Sequence, residues 1–336
     1  MTPRPSPPAR RPPIAARLRL LGLYPAEYRA AYGGEIGDVF AHSVQGLGNT
    51  AALREWASLA AHALRLRTRL SSSDPAGRIA AGAAPFILAG GAGLSMVHLL
   101  LGLFLPDPLE FEDWGHPAFR TTLVAVQTLP WILALICACQ GRWAPTRLLV
   151  ALGMLGRIGV AVAFLPHAGP AFTPYLMVLP FFLAPGTLLL IAPPDAVDLS
   201  PLGRGEIVLA ALALALPMSA LVVLWPQPDP GGTTAPVFPP AVQTLTHASA
   251  AWPAAVMSFA MLRHLRARRP DPLRATGIAA AVLPWTAMLA PPYYWLPPRN
   301  AHDLLRNAAI VLALLALAVL LARLRRTRPA PPQNCP

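Results

Sequence analysis

From residue 78 onwards the chain is a series of long apolar stretches separated by short polar or proline-rich interruptions. That spacing predicts α-helices that cross a bilayer. Eight stretches stand out, at about 79–105, 121–139, 147–165, 172–192, 207–226, 241–262, 275–296 and 304–322. Each is about 19 residues or longer, enough to cross roughly 30 Å of hydrocarbon at about 1.5 Å per residue. Two are less even. Gln243, Thr244, Thr246, His247 and Ser249 crowd one half of 241–262, and Pro284 and Pro291-Pro292 interrupt 275–296. Each of these two either crosses fully or lies re-entrant or interfacial.

Ahead of the apolar series the pattern changes. Residues 1–13 hold six prolines and three arginines with nothing to bury, and predict a disordered tail. Ile14 to Leu23 is short and basic-amphipathic. Over Ala26 to Gln45 the residues Tyr28, Tyr32, Ile36, Val39 and Phe40 recur at helical spacing, behind a proline at 25 that suits a first turn. A second helix is expected over Ala51 to Leu70, with Leu53, Trp56, Leu59, Leu64 and Leu66 on its apolar side. Arg65, Arg67 and Arg69 at its end stand just before the first apolar stretch, where basic residues attract anionic headgroups. No cleavable signal is expected, because Arg17 and Arg19 interrupt the short apolar run that begins at Ile14.

Composition agrees with a membrane chain. Of 336 residues 55% are hydrophobic and only 12% charged, against about 25% charged in an ordinary soluble domain. Every basic residue is Arg, and the net charge of +12 is spread over loops and tails, not gathered on one module, which argues against nucleic-acid binding. The arginines also set the sidedness. With eight spans and the N-terminus inside, all but four of the 27 arginines are cytoplasmic. The exceptions are Arg120, Arg299 and Arg306 outside, and Arg157 within a span. The opposite loops hold Asp107, Glu110, Glu112, Asp113 and Asp229. Removing any of the first six spans would place the cluster Arg263, Arg266, Arg268, Arg269 and Arg274 outside. Trp225, Tyr293, Tyr294 and Trp295 then fall at outer interfaces, where amphipathic rings are favoured.

Candidate chemistry is sparse. All acidic residues lie in loops or in the N-terminal segment, and no carboxylate falls in a predicted membrane core. There is no P-loop, no paired-histidine metalloprotease motif and no dinucleotide fingerprint, so no cofactor, metal site or catalytic residue is assigned and no enzyme is expected. Cys137 and Cys139, about 200° apart on a helix, cannot pair with each other. Arg157 is the outstanding residue: a cation near the middle of a span costs about 2.5–3.5 kcal/mol on insertion scales and should face the bundle interior or water. By predicted depth His98, Gln127, Gln243 and His247 all lie in the outer half of their spans, above Arg157. Together with Arg157 they form a candidate polar cavity able to hold an anionic group; the competing reading is an arginine that snorkels or bonds helix carbonyls. Gly153, Gly156 and Gly159 beside it suit close helix packing. Pro85, Pro130, Pro180, Pro185, Pro217, Pro253 and Pro284 each permit a kink.

The run Leu20-Leu21-Gly22-Leu23-Tyr24-Pro25-Ala26-Glu27-Tyr28-Arg29-Ala30-Ala31-Tyr32-Gly33-Gly34-Glu35-Ile36 resembles the permease-prefix type of cytoplasmic segment. Such segments precede transmembrane domains in ABC-type permeases and in many actinobacterial multi-spanning membrane proteins, and the GC-rich codon classes of Arg, Ala and Pro point the same way. The resemblance covers residues 20–70 at most and implies a multi-spanning protein. The large extracytoplasmic domain common in macrolide-exporter-type permeases is not visible downstream.

The sequence thus predicts an all-α fold: a small cytosolic helical domain at 14–72, a polytopic membrane bundle of about eight transmembrane helices within 78–323, and a cytosolic tail at 324–336. The expected setting is a bacterial cell membrane with both ends cytoplasmic. The expected function is a permease-like or transport-associated subunit without its own ATPase. The alternative is a membrane-anchored regulator or scaffold, and an intramembrane enzyme is remote. Expected partners are the lipid bilayer and a cytosolic protein, an ATPase or a regulator, docked through residues 14–70.

Overall fold

The computed structural model describes residues 21–104, 117–164, 173–224, 251–267, 270–287 and 301–326, and every regular element among them is helical. The chain divides into two compact units, Met1–Ala76 and Gly77–Pro336.

In the first unit a 3-10 turn (Leu21–Leu23) leads through Pro25 into α1 (Ala26–Ser43), and α2 (Asn49–Arg67) follows. Gly46, at φ +82°, makes the turn between the two helices. The shared core is small: Tyr24, Phe40, Val44, Ala52 and Ala63 are buried, with Tyr28, Ile36, Trp56 and Leu59 packed against them. Tyr24 and Tyr28 stack with centroids 5.5 Å apart, and Tyr28 and Tyr32 lie 4.9 Å apart. Two expectations need correcting here. Leu53 and Leu64, expected on the apolar side of α2, are exposed, as is Val39 of α1. The seam of α2 keeps the expected Trp56, Leu59 and Leu66 and adds Ala52 and Ala63, because alanine lets the two backbones approach while Leu53 and Leu64 are turned away.

The second unit contains all but the first two residues of α3 (Pro75–Phe104), together with α4 (Pro117–Cys139), α5 (Trp143–Phe164), α6 (Thr173–Ile191), α7 (Pro201–Leu224), α8 (Ala251–Arg266), α9 (Pro272–Val282) and α10 (Ala301–Arg326). A 3-10 turn, Leu283–Ala287, follows α9. Four helical stretches among the described residues are long and apolar enough to cross a membrane: Pro75–Leu100, Thr122–Cys139, Trp143–Val162 and Leu304–Leu324. Leu179–Ile191 is a shorter apolar helix. Helix α3 is the central one. Its apolar window is 72% buried, against 28%, 33% and 17% for the other three. Those three turn rows of apolar side chains outward, such as Leu129, Leu133 and Ile136 on α4, or Leu148, Leu152 and Leu155 on α5. Contiguous apolar faces of that kind are unfavourable in water and normal against lipid.

The predicted stretch 275–296 is not one continuous helix. Its α-helix ends at Val282, two residues before Pro284, whose ring cannot follow an α-helical turn without displacing the preceding carbonyl. Residues 288–296 of that stretch lie outside the described residues, as do residues 241–250 of the sixth predicted span and Trp225, Tyr293, Tyr294 and Trp295.

Close contacts between helices are set by glycine. At the crossing of α3 and α9 a Cβ on Gly277 would lie 2.2 Å from the Ile79 carbonyl oxygen, and one on Gly82 would lie 2.8 Å from the Arg274 Cα. Backbone meets backbone there, so no larger residue fits. Kinks are also accommodated. Pro217 in α7 cannot donate to the Ala213 carbonyl, and the Trp252 indole N–H of α8 donates to that oxygen instead, at 2.6 Å. A polar group freed inside an apolar helix is thereby satisfied from the neighbouring helix.

Candidate functional site

Arg157 lies on α5, about 21 Å along the helix from Trp143 at 1.5 Å per residue. It is one of the few charged side chains inside the unit, with 5% of its surface exposed. The guanidinium carbon sits 3.9 Å from the centroid of the Phe182 ring on α6. A desolvated cation–π contact contributes about 2 kcal/mol, close to the roughly 2.5–3.5 kcal/mol that a cation costs in mid-membrane. The aromatic face therefore offsets much of the cost of placing the charge there.

The side chain borders a cavity of about 50 Å³. Phe86 and Leu94 of α3, Trp131 of α4, Phe182 of α6 and Trp285 of the turn after α9 are among its walls. These walls are fixed by packing. A Cβ on Gly91 would lie 2.4 Å from the Trp131 ring, and one on Gly153 would lie 2.8 Å from its indole nitrogen, so the indole is held between two bare stretches of backbone. Gly156 meets α4 in the same way at Val126, whose carbonyl Pro130 leaves without its helical donor. Gly159 meets nothing within 4 Å and takes no part in this packing.

The five residues expected in the cavity are distributed as follows. Arg157 borders it. His98 on α3 lies within electrostatic reach of Arg157 but forms no part of the wall. The Gln127 Nε2 donates to the Leu123 carbonyl of its own helix at 3.3 Å. Gln243 and His247 lie outside the described residues. The described wall is thus aromatic and aliphatic with one cation, where the sequence suggested polar company. The aromatic partners were not legible because Phe and Trp in an apolar helix read simply as core.

A second polar group gathers where several helices begin or end. Arg274, in the first turn of α9, reaches Asp198 at 3.4 Å and Glu206 at 3.6 Å. The Glu206 carboxylate also lies 3.1 Å from the His264 Nε2 at the end of α8. Asp271 caps α9 by accepting from the backbone N–H groups of Leu273 and Arg274, both at 3.1 Å, and pairs with Arg78 of α3 at 2.9 Å. Arginines cap carbonyls at the ends of neighbouring helices as well: Arg204 donates to Cys139 at 3.1 Å, and Arg147 donates to Leu190. Burial pushes the Glu206 carboxyl upward, but the hydrogen bond from His264 and the charges of His264, Arg274 and Arg263 outweigh it and hold the group below its usual range. Asp198 is held low chiefly by the Ser200 hydroxyl, with Arg274 adding to it. Partners in this cluster are separated by as much as 193 residues, so no local motif announces them.

Among the described residues no three His, Cys, Asp or Glu side chains converge on a point where a metal ion would sit. Comparison with known proteins finds no matching family model, no matching relative and no matching solved structure.

Proposed function

We propose that the chain is a multi-pass integral membrane protein, a permease-like or transport-associated subunit without an ATPase of its own, with Arg157 on the path of a substrate or lipid. The observation that carries this reading is the buried Arg157 beside an aromatic cavity, on a helix apolar enough to cross a bilayer. An intramembrane cation is costly and is used where a pathway or ligand requires it.

Eight spans with both ends in the cytoplasm of a bacterial cell membrane fit the same reading. Contacts link the start of α3, the end of α4, the Asp198 loop, the start of α7, the end of α8 and the start of α9 at one end of the unit. An up-and-down bundle with arginine-rich cytoplasmic connections would gather those segments on one side. The rival reading, a membrane-anchored regulator, draws support from the exposed apolar side chains Tyr32, Val39, Leu53 and Leu64 of the N-terminal unit, which could receive a cytosolic partner.

Two measurements test the proposal. Reporter fusions after Pro230 and after Arg269 should report opposite compartments; both on one side, or recovery of the chain without detergent, ends the multi-pass reading. Purification in mild detergent should then bring down an ATPase, whereas a transcription or sigma factor in its place would select the regulator.

A further inference from the structure

The two helices of the N-terminal unit carry opposite charge. Helix α1 holds Glu27, Glu35 and Asp38 against Arg29. Helix α2 holds Arg54, Arg65 and Arg67 against Glu55, and Arg69 follows just beyond its end. We infer that α2 docks onto the anionic surface of the cytoplasmic leaflet through the face that carries Leu53, Ala57, Ala61 and Leu64. This rests on the multi-pass reading with the N-terminus inside, and it gives the basic side of the unit its partner.

The face is apolar with a basic border. Leu53 is 50% and Leu64 62% exposed, and Ala57 and Ala61 are exposed between them. At about 100° per residue these four positions fall within about 80° of one another. Arg54 and Arg65 follow along one edge, about 100° and 120° from Leu53. Glu55 lies about 200° from Leu53, toward the seam with α1. Apolar side chains beside a row of cations suit a helix that lies in the headgroup layer, with leucines dipped inward and guanidinium groups among phosphates. Helix α1 is the wrong match. Its exposed Tyr32 and Val39 alternate with Glu35 at spacings of three and four, which puts an anion among them.

The end of α2 carries an independent sign. The Leu70 N–H donates to the Arg65 carbonyl at 2.8 Å and the Arg69 N–H to the Leu66 carbonyl at 3.4 Å, the paired bonds of a Schellman end. The turning residue of such an end is ordinarily glycine, and here it is Arg69 at φ +54°. A cation is kept where the backbone favours glycine, and strain of that kind is held where a side chain has a task. Arg67 serves the fold, donating to the Gly22 carbonyl at 2.8 Å, so Arg54, Arg65 and Arg69 are the cations assigned to lipid. The chain also supplies proximity. Only residues 68–74 separate α2 from α3, whose membrane-length stretch begins at Pro75. At about 3.5 Å per residue they reach about 25 Å when fully extended. A face of two leucines that would bind weakly as a free peptide is thereby held beside the surface it fits.

The test uses the full chain in nanodiscs, with Cys137, Cys139 and Cys335 replaced by alanine. An environment-sensitive fluorophore is attached at Ala57→Cys on the docking face, or at Val39→Cys on α1. The discs contain phosphatidylcholine alone or with about a third phosphatidylglycerol, and a trace of lipid carrying a nitroxide near its headgroup. Quenching at position 57 should be several-fold greater with phosphatidylglycerol and should fall to the phosphatidylcholine level in about 0.5 M salt. The label at position 39 should stay unquenched in both. Arg54→Gln, Arg65→Gln and Arg69→Gln together should remove the phosphatidylglycerol effect, since each arginine at an anionic surface shifts the contact equilibrium about fivefold and three shift it about a hundredfold. Arg69→Gly separates charge from fold: glycine takes this backbone conformation more easily, so the helix content is kept while contact drops about fivefold. Equal quenching at position 57 in the two lipids overturns the inference without any change to the arginines. Quenching at position 39 that matches position 57 overturns it as well. Absence of quenching at both positions gives the face to a protein partner instead. Any of these results from a chain that needs detergent and has correctly sided reporter fusions leaves the multi-pass reading standing, whereas recovery without detergent ends both.

Discussion

Arg157 and Arg274 belong to the same helical unit and are accommodated by opposite means. Arg157 lies against the face of Phe182 and between aromatic walls fixed by glycine contacts. Arg274 lies between two carboxylates, Asp198 and Glu206, the second of which is shared with His264. An aromatic face stabilises a cation without neutralising it. The carboxylates around Arg274 cancel its charge and tie together helix ends that are far apart in sequence. The first arrangement buries a charge against a ring, and the second ties helix ends together. They should differ in their response to salt and acid, since paired charges near water are screened and titrated whereas an aromatic stack is not.

The largest effect should come from the element that serves both regions. Helix α9 carries Arg274 at its start and Ala281 of the cavity wall near its end, and it is seated on α3 through Gly277 and Gly82. In Gly277→Val the new side chain would be driven into the Ile79 carbonyl, with no flexible side chain to give way. The cost should be about 3 kcal/mol or more. Thermal unfolding in detergent would show it as a large loss of stability. A midpoint unchanged within error would mean that the two helices are not in contact.

Next in size is the carboxylate shared by Arg274 and His264. Glu206→Gln takes an anionic partner from Arg274 and weakens the hydrogen bond with His264, and should cost about 2 kcal/mol. The pH dependence has a definite sign. The folded-state carboxyl of Glu206 is held below its ordinary value, so its contribution is present above that value and is lost as pH falls through the lower folded-state one. Asp198 and Asp271 are shifted in the same direction and act in the same window. Stability of the parent chain should therefore fall steeply on acidification below the normal carboxylate range. Glu206→Gln should reduce that slope, and raised salt should mimic part of the substitution. An acid profile that Glu206→Gln leaves unaltered would remove the cluster from the account of assembly.

The contrast also explains what could be read in the sequence. Apolar length sufficed for an all-helical chain with membrane-length segments, because that feature is local. The spacing of Tyr28, Ile36 and Phe40 gave α1, and a lone cation in an apolar run singled out Arg157. The partners of Arg157 come from α4, α6 and the turn after α9, and nothing short-range distinguishes Trp131, Phe182 or Trp285 from other core aromatics. The seam of α2 was legible at Trp56, Leu59 and Leu66 but not at its buried centre: Ala52 and Ala63 lie there, and alanine is a weak apolar signal by size though a strong one for close approach. Pro284 signalled a break in the seventh stretch, but only the three-dimensional arrangement shows its 3-10 turn setting Trp285 against the cavity.

The smallest of these effects tests whether the apolar part of the unit satisfies its polar groups without charge. The Trp252 indole donates to the Ala213 carbonyl, which Pro217 leaves without its helical donor. Trp252→Phe should cost about 1–2 kcal/mol, as an acceptor loses its partner and the larger ring is lost. Pro217→Ala supplies a backbone N–H to the same carbonyl, so in that background Trp252→Phe should cost less by about 1 kcal/mol. Thermal unfolding of the four chains of this double-mutant cycle measures the difference. Coupling of that size would mean that the indole replaces the missing helical bond. Strict additivity would reduce Trp252 to packing alone, and the uncharged half of the comparison would then rest on aromatic contact and close helix approach.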